Sequence, residues 1–344
     1  MRLLVRTTNW LGDAVMSIPA LREIRRARPD AEITILARQW VADLYAREDF
    51  CDRILIYDNA GSHRGLRGKG RLASELARER FDQAVLLQNA FDAALIAWLA
   101  RVPVRIGYAR DGRRRLLTHP VAPPEPGETP PHQRFYYLEL LRRAGWIDAI
   151  PECADIRLHG VDEAAESGRK LWRERCLAEG RWIGVSPGAA YGGAKRWIPE
   201  HFAQSARTLA GELGARVVVF GSKAEAELAR SIAEQVGPEA VCLAGETSLA
   251  EYIDLAATCS LYLTNDSGPM HVAAALGIPT VAIFGATDHI ATGPSASWAK
   301  VVRRDLDCTP CLLRECPLPE HRCMLAVTPG IVVEEARKVL GSRA

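Results

Sequence analysis

Along the whole chain, continuous apolar runs alternate with stretches in which apolar positions recur every three or four residues. That alternation is what parallel strands covered by amphipathic helices require. In the first half the runs predict strands at residues 3–6, 32–36, 53–56, 83–87 and 104–107, with helices at 13–27 and 92–100. Val15, Ile18, Leu21 and Ile24 form one buried stripe on the first of these helices. A proline-rich stretch at 120–131 breaks the periodicity and reads as a loop. A helical segment at 134–144 follows, then a linker at 151–159. The second half repeats the rhythm, with strands at 182–186, 217–220, 240–243, 261–264 and 280–284 and helices near 199–213, 224–236, 249–257 and 270–276. At 344 residues the chain exceeds what one core usually serves. The pattern therefore predicts an α/β fold of two Rossmann-like domains, 1–159 and 160–327, with a cleft between them. A C-terminal helical segment, 328–344, is expected to pack back across the domain boundary.

Composition adds little until it is mapped. The net charge is +2, but residues 1–150 hold 24 Lys and Arg against 18 Asp and Glu, a net +6. Two stretches concentrate it: 61–71, with Arg64, Arg67, Lys69 and Arg71, and 101–115, with six arginines including Arg113 and Arg114. Such patches suit a phosphorylated lipid, a membrane surface or nucleic acid, and equally a solvated basic surface. Nucleic acid is disfavoured: the patches lack interleaved aromatics, and the pI is about 8.1. The N-terminal apolar run is too short for a signal-peptide core, and no run approaches the length that spans a bilayer, so a cytoplasmic protein is expected.

Three motifs fall where predicted strands end. Asn9-Trp10-Leu11-Gly12-Asp13 joins the first strand to the first helix, where ligands of open α/β sheets bind. Asp13 is placed there either as a helix N-cap or as a general base. Residues 186–197, Ser-Pro-Gly-Ala-Ala-Tyr-Gly-Gly-Ala-Lys-Arg-Trp, offer backbone N–H groups through Gly188 and its neighbours and a cation in Lys195. This is neither a Walker A loop nor GxGxxG, and an ordinary surface loop fits it as well. Asn265-Asp266-Ser267-Gly268-Pro269-Met270-His271 opens another helix, where Ser267 and Gly268 present donors to an anion. There Asp266 suits neighbouring amides or a sugar hydroxyl, and His271 either donates to a phosphate or packs as a structural histidine.

Cys308, Cys311, Cys316 and Cys323 lie within sixteen residues. Their spacing is irregular for zinc, and reduced thiols, a disulfide and a structural metal all remain open. Cys51, Cys153, Cys176, Cys242 and Cys259 are scattered and read as core or surface residues.

Taken in order, the motifs at 9–20, 187–197 and 264–271 resemble those of glycosyltransferase family 9, the bacterial lipopolysaccharide heptosyltransferases. The segment at 308–324 is similar to the C-terminal signature of that family's heptosyltransferase II branch. The resemblance implies a GT-B fold, with acceptor bound by the first domain and nucleotide-sugar by the second. It implies ADP-L-glycero-D-manno-heptose as donor and a lipid A-Kdo-heptose acceptor at the membrane surface, with no metal or other cofactor required. Residue by residue it implies Asp13 as catalytic base, Lys195 on the diphosphate, Asp266, Ser267, Gly268 and His271 around the donor with Gly188, and Glu225 on the ribose. Asn9, Arg64, Arg113 and Arg114 are the acceptor-side candidates. Threonines that precede the lysine in some relatives are here Ala190 and Tyr191. The alternatives are heptosyltransferase I or another core-sugar transferase, a nucleotide-sugar epimerase, and a non-catalytic nucleotide- or nucleic-acid-binding protein. Oligomeric state is not legible.

Overall fold

The computed structural model describes residues 1–152, 155–177 and 180–341. It forms two compact units, Met1–Cys153 and Ala154–Ala344. Cys153 and the last three residues lie outside the described segments.

The first unit runs β1 (Arg2–Arg6), α1 (Leu11–Ala27), β2 (Glu32–Arg38), α2 (Gln39–Ala42), β3 (Arg53–Tyr57), α3 (Gly65–Glu79), β4 (Gln83–Leu86), α4 (Phe91–Leu99), β5 (Val104–Tyr108), β6 (His119–Val121) and α5 (Gln133–Arg143). Its sheet is wholly parallel, in the order β3-β2-β1-β4-β5-β6. Leu4, Leu36 and Leu86 from three adjacent strands pack against Leu72 and Leu76 of α3 and Ala94 and Ala97 of α4.

The second unit runs α6 (Val161–Glu174), β7 (Trp182–Ser186), α7 (Pro199–Leu213), β8 (Arg216–Val219), α8 (Ala226–Val236), β9 (Ala240–Cys242), α9 (Leu249–Ala256), β10 (Cys259–Asn265), α10 (Gly268–Ala275), β11 (Thr280–Ile283), α11 (His289–Thr292), β12 (Ala299–Val302), α12 (Arg322–Leu325) and α13 (Pro329–Gly341). Its sheet, β12-β11-β10-β7-β8-β9, is also parallel. Both orders are the doubly wound 3-2-1-4-5-6 arrangement, which reverses direction between β1 and β4 in one unit and between β7 and β10 in the other. At such a reversal the helices diverge and leave a crevice at the carboxyl ends of the strands. All three sequence motifs follow β1, β7 or β10.

Four features add to or differ from the reading of the sequence. Two strands, β6 and β12, were not anticipated. Both are short edge strands, and β6 tolerates Pro120 because an edge leaves one side of its backbone unpaired. The boundary falls at 153/154 rather than 159/160, because Ile156 and Leu158 donate their N–H groups to Ser295 and Ala275 of the second unit. Helix α6, which the apolar pattern did not single out, belongs to that unit: Trp172 stacks on Trp182 of β7 at 4.3 Å and donates to Thr258. Finally, α13 packs on α7, β11 and β12 of its own unit, with Val332, Val333 and Ala336 in that core.

Candidate active site

In the first unit the β1–α1 junction sets the geometry. The helix begins at Leu11 with Trp10 at its N-cap position, so Asp13 stands in the first turn and is not the cap. The N-cap alternative is thereby removed. The Asp13 carboxylate is half-buried and accepts a 3.0 Å hydrogen bond from the Tyr137 hydroxyl of α5. Burial first, and then the nearby Asp13, push the Tyr137 phenol well above its ordinary range, so it stays protonated and donates. The dipole of α1 favours a negative charge at Asp13, and Tyr137 fixes its direction.

The acceptor-side candidates separate. Arg64 and Arg114 are exposed. Arg113 is fully buried: its Nε donates to Tyr108 O at 2.8 Å, its Nη1 to Gln88 O and its Nη2 to Asn89 Oδ1 at 2.9 Å. Burial lowers it to about 10. It braces the segments after β4 and β5 and offers nothing to a ligand, which corrects its assignment. Arg105 likewise turns inward, to Leu116 O and Val102 O. Asn9 is also engaged, accepting from Arg6 and Arg38.

In the second unit the β7 loop and the β10–α10 junction are brought together. Asn265, at the end of β10, accepts from Trp197 N at 3.0 Å and donates to Pro187 O at 2.7 Å, tying both ends of the loop to the strand. Lys195 Nζ lies 2.6 Å from Asp266 Oδ2, in a largely buried ion pair, and Thr287 donates to the same oxygen. Asp266 thus has a role that spacing did not reveal, as counter-charge of the lysine. Lys195 also stands 4.8 Å over the Tyr191 ring. Ser267 is the N-cap residue of α10, its Oγ 3.3 Å from Thr264 Oγ1, and Gly268 opens the helix. His271 is buried within α10.

Glu225 sits at the start of α8, where its Oε2 accepts from the Ser222 N–H and hydroxyl at 2.8 and 2.7 Å. It abuts Gly188 so closely that a Cβ there would come within 1.9 Å of Oε1, so Gly188 is needed for the approach. Two residues that sequence reasoning left without roles, Asn265 and Thr287, complete the arrangement. Asn265 was visible beside the motif; Thr287, twenty-one positions from Asp266, carried no local signal.

The loop is buttressed from far along the chain. Tyr191 donates to Leu312 O at 2.9 Å, Gly193 N–H to Glu315 Oε1 at 3.0 Å, and the Trp197 indole to Met324 O and Val327 O. Gly192, with φ of 157°, lies where a Cβ would come within 2.2 Å of Arg314 O. The cysteine-rich segment supplies this buttress. No disulfide joins its four cysteines, and burial raises Cys323 above the ordinary thiol range, with the other three nearby adding to the effect. Trp197→Ala is expected to lower the unfolding free energy by about 3–5 kcal/mol, read by urea denaturation, because a large buried ring is lost together with its bonds. A loss under 1 kcal/mol would show that the loop does not depend on this anchor.

The profile of "Glycosyltransferase family 9 (heptosyltransferase)" matches residues 69–321. The chain belongs to glycosyltransferase family 9. It is 31% identical to lipopolysaccharide heptosyltransferase 2 of Salmonella typhimurium, covering 99% of each chain. It is 30% identical to lipooligosaccharide heptosyltransferase 2 of Campylobacter jejuni, covering 99% of this chain and 98% of that one. Among solved structures, the ADP-heptose lipopolysaccharide heptosyltransferase II of E. coli superposes with a TM-score of 0.81 at 28% identity, covering 100% of this chain and 99% of that one. The family 9 fold is GT-B, as the resemblance implied. Among the described residues, no helix is long and apolar enough to cross a membrane.

Proposed function

We propose that this family 9 enzyme is an inverting heptosyltransferase, which moves L-glycero-D-manno-heptose from ADP-heptose onto the first heptose of a lipopolysaccharide inner core. The observation that carries this reading is the Asp13 carboxylate, half-buried in the first turn of α1 at the strand-order reversal of the first sheet and oriented by Tyr137. An acceptor hydroxyl must lose its proton as its oxygen bonds to the anomeric carbon. That carbon's bond to the ADP oxygen breaks on the opposite side, and ADP departs with the electron pair. Asp13 takes the proton. An aspartate is ordinarily a weak base, so the rate comes mainly from positioning. Lys195 and the first turn of α10 with Ser267 and Gly268 stabilise the negative charge that grows on ADP. Glu225, beside Gly188, is assigned the ribose hydroxyls.

The acceptor side falls to the first unit. Exposed Arg64 and Arg114, with Arg67 and Arg115, are assigned to phosphates of the lipid A acceptor and to an anionic leaflet, where the enzyme acts peripherally. Raising ionic strength from 50 to 300 mM should then raise the acceptor KM severalfold and leave the donor KM nearly unchanged. A flat acceptor KM would make these arginines ordinary solvated surface. The test of the reaction itself uses purified protein, ADP-heptose and lipid A precursors bearing zero or one heptose, with products read by mass spectrometry. One heptose added only to the singly heptosylated precursor is the expected result. Addition to the unheptosylated precursor would instead make it a heptosyltransferase I, and ADP-heptose consumed without acceptor would overturn transfer.

A further inference from the structure

The carboxyl ends of β1, β2 and β3 hold a group of cations that the proposed chemistry does not use. Arg6 ends β1, Arg38 ends β2 and Tyr57 ends β3, and Arg38 and Tyr57 are register partners. Both guanidiniums donate to one atom, Asn9 Oδ1: Arg6 Nη2 at 2.6 Å and Arg38 Nε at 3.1 Å. Both also lie over the Tyr57 ring, at 5.3 and 4.3 Å. Arg38 stands 5.5 Å over the ring of Trp40, whose indole donates to Asn9 O at 2.9 Å. Arg6 is held from below by the carbonyls of Thr7 and Leu36.

The charges do not balance. Among the described residues no carboxylate lies within ion-pair distance of either guanidinium. The nearby Asp92 is instead bonded by the Tyr57 hydroxyl at 3.4 Å and paired with Lys69 at 3.5 Å. Arg6 Nε and Arg38 Nη1 are buried without a hydrogen-bond partner. Burial, and then the charge of Arg38, bring Arg6 down to about 10. Burying two like charges with unsatisfied donors is costly, and a fold that needed only packing here would be better served by apolar residues. An anion brought to the group relieves both the repulsion and the unmet donors. The group stands beside the strand-order reversal, on the edge where Asp13 lies in the first turn of α1.

We propose that Arg38, held in place by Arg6, Asn9, Tyr57 and Trp40, is an oxyanion subsite that reads a carboxylate or phosphate on the acceptor saccharide. This rests on the proposed transfer to an inner-core acceptor, in which the acid sugar Kdo supplies a carboxylate and lipid A a phosphate. The planar guanidinium suits either anion, whereas a lysine ammonium would present only a point charge. Arg6 and Asn9 act through Arg38 as positioning residues.

The test compares wild type, Arg38→Gln and Arg38→Lys on three acceptors: native, with the acid-sugar carboxyl converted to its amide, and with the phosphate removed. With native acceptor, Arg38→Gln should raise the acceptor KM about 10- to 100-fold, as loss of a charge-assisted hydrogen bond does. The Kd of ADP should not move, and Arg38→Lys should recover part of the loss. On whichever acceptor lacks the recognised group, wild type and Arg38→Gln should have equal KM, which names the source of the anion. A penalty of the same size on all three acceptors, or none on the native one, overturns the subsite. Equilibrium titration of free Kdo and of inorganic phosphate, followed by tryptophan fluorescence, separates this from the wider reading. Saturable binding lost in Arg38→Gln, in an enzyme that heptosylates no acceptor, would uphold the subsite and sink the proposed transfer. Absence of saturable binding by either probe, together with equal KM values, overturns the subsite. A melting temperature for Arg38→Gln within a few degrees of wild type shows that the variant is folded.

Discussion

Asp13→Asn should lower kcat by about 10²- to 10⁴-fold while the Kd of ADP stays within about twofold of wild type. The amide keeps the shape of the carboxylate and still accepts from Tyr137, so the first turn of α1 is preserved. What disappears is the capacity to take a proton. Because Asp13 is not the N-cap, no capping energy is lost, and the melting temperature should barely change. Single-turnover measurements with saturating donor and acceptor, beside a thermal melt, make the comparison. Turnover near wild type would remove Asp13 as the base; a fall in turnover matched by unfolding would make it a structural residue.

Lys195→Ala should weaken ADP binding by about 100-fold, the equivalent of about 3 kcal/mol. Two effects combine. The cation assigned to the diphosphate goes, and the largely buried Asp266 carboxylate, left with the Thr287 hydroxyl, repels the incoming phosphates. Truncating one partner of a buried pair costs mainly through the charge left behind. The double variant Lys195→Ala/Asp266→Asn should therefore bind ADP more tightly than the single one, a non-additivity that calorimetry reads directly. An unchanged Kd in Lys195→Ala would put the diphosphate elsewhere. Equal Kd values for single and double variants would show that Asp266 does not act through charge.

Ten strands and the three loops to which the chemistry is assigned were legible because each depends on local pattern: an apolar run, then small or polar residues before a helix. The strands that escaped, β6 and β12, are sheet edges, where exposed residues such as His119 and Lys300 erase the apolar run. Helix α6 escaped because its buried face is thin, with Ala164, Gly168 and Trp172 its only fully buried positions. For the site, the identity of Lys195 and Asp266 could be read from sequence but their pairing could not, since it joins residues on separate elements. Arg113 shows the opposite error. An arginine amid five others reads as surface charge, yet the carbonyls of Tyr108 and Gln88 and the side-chain oxygen of Asn89 each accept from it. Burial of a cation is settled by the acceptors that surround it, and these come from distant parts of the chain.

The bonds that buttress the Lys195 loop from the C-terminal segment reach residues between 121 and 130 positions further along. A ribosome adds about 5–20 residues per second, so roughly ten seconds separate synthesis of the lysine from synthesis of its last support. Until Met324 has been added the indole of the nascent loop has neither of its two acceptors, and until Val327 it lacks the second. The shape of the loop assigned to the nucleotide is therefore a late acquisition in the life of each molecule. A chain cut short between Val302 and Met324 would hold the strands of both sheets and still lack both acceptors of the Trp197 indole.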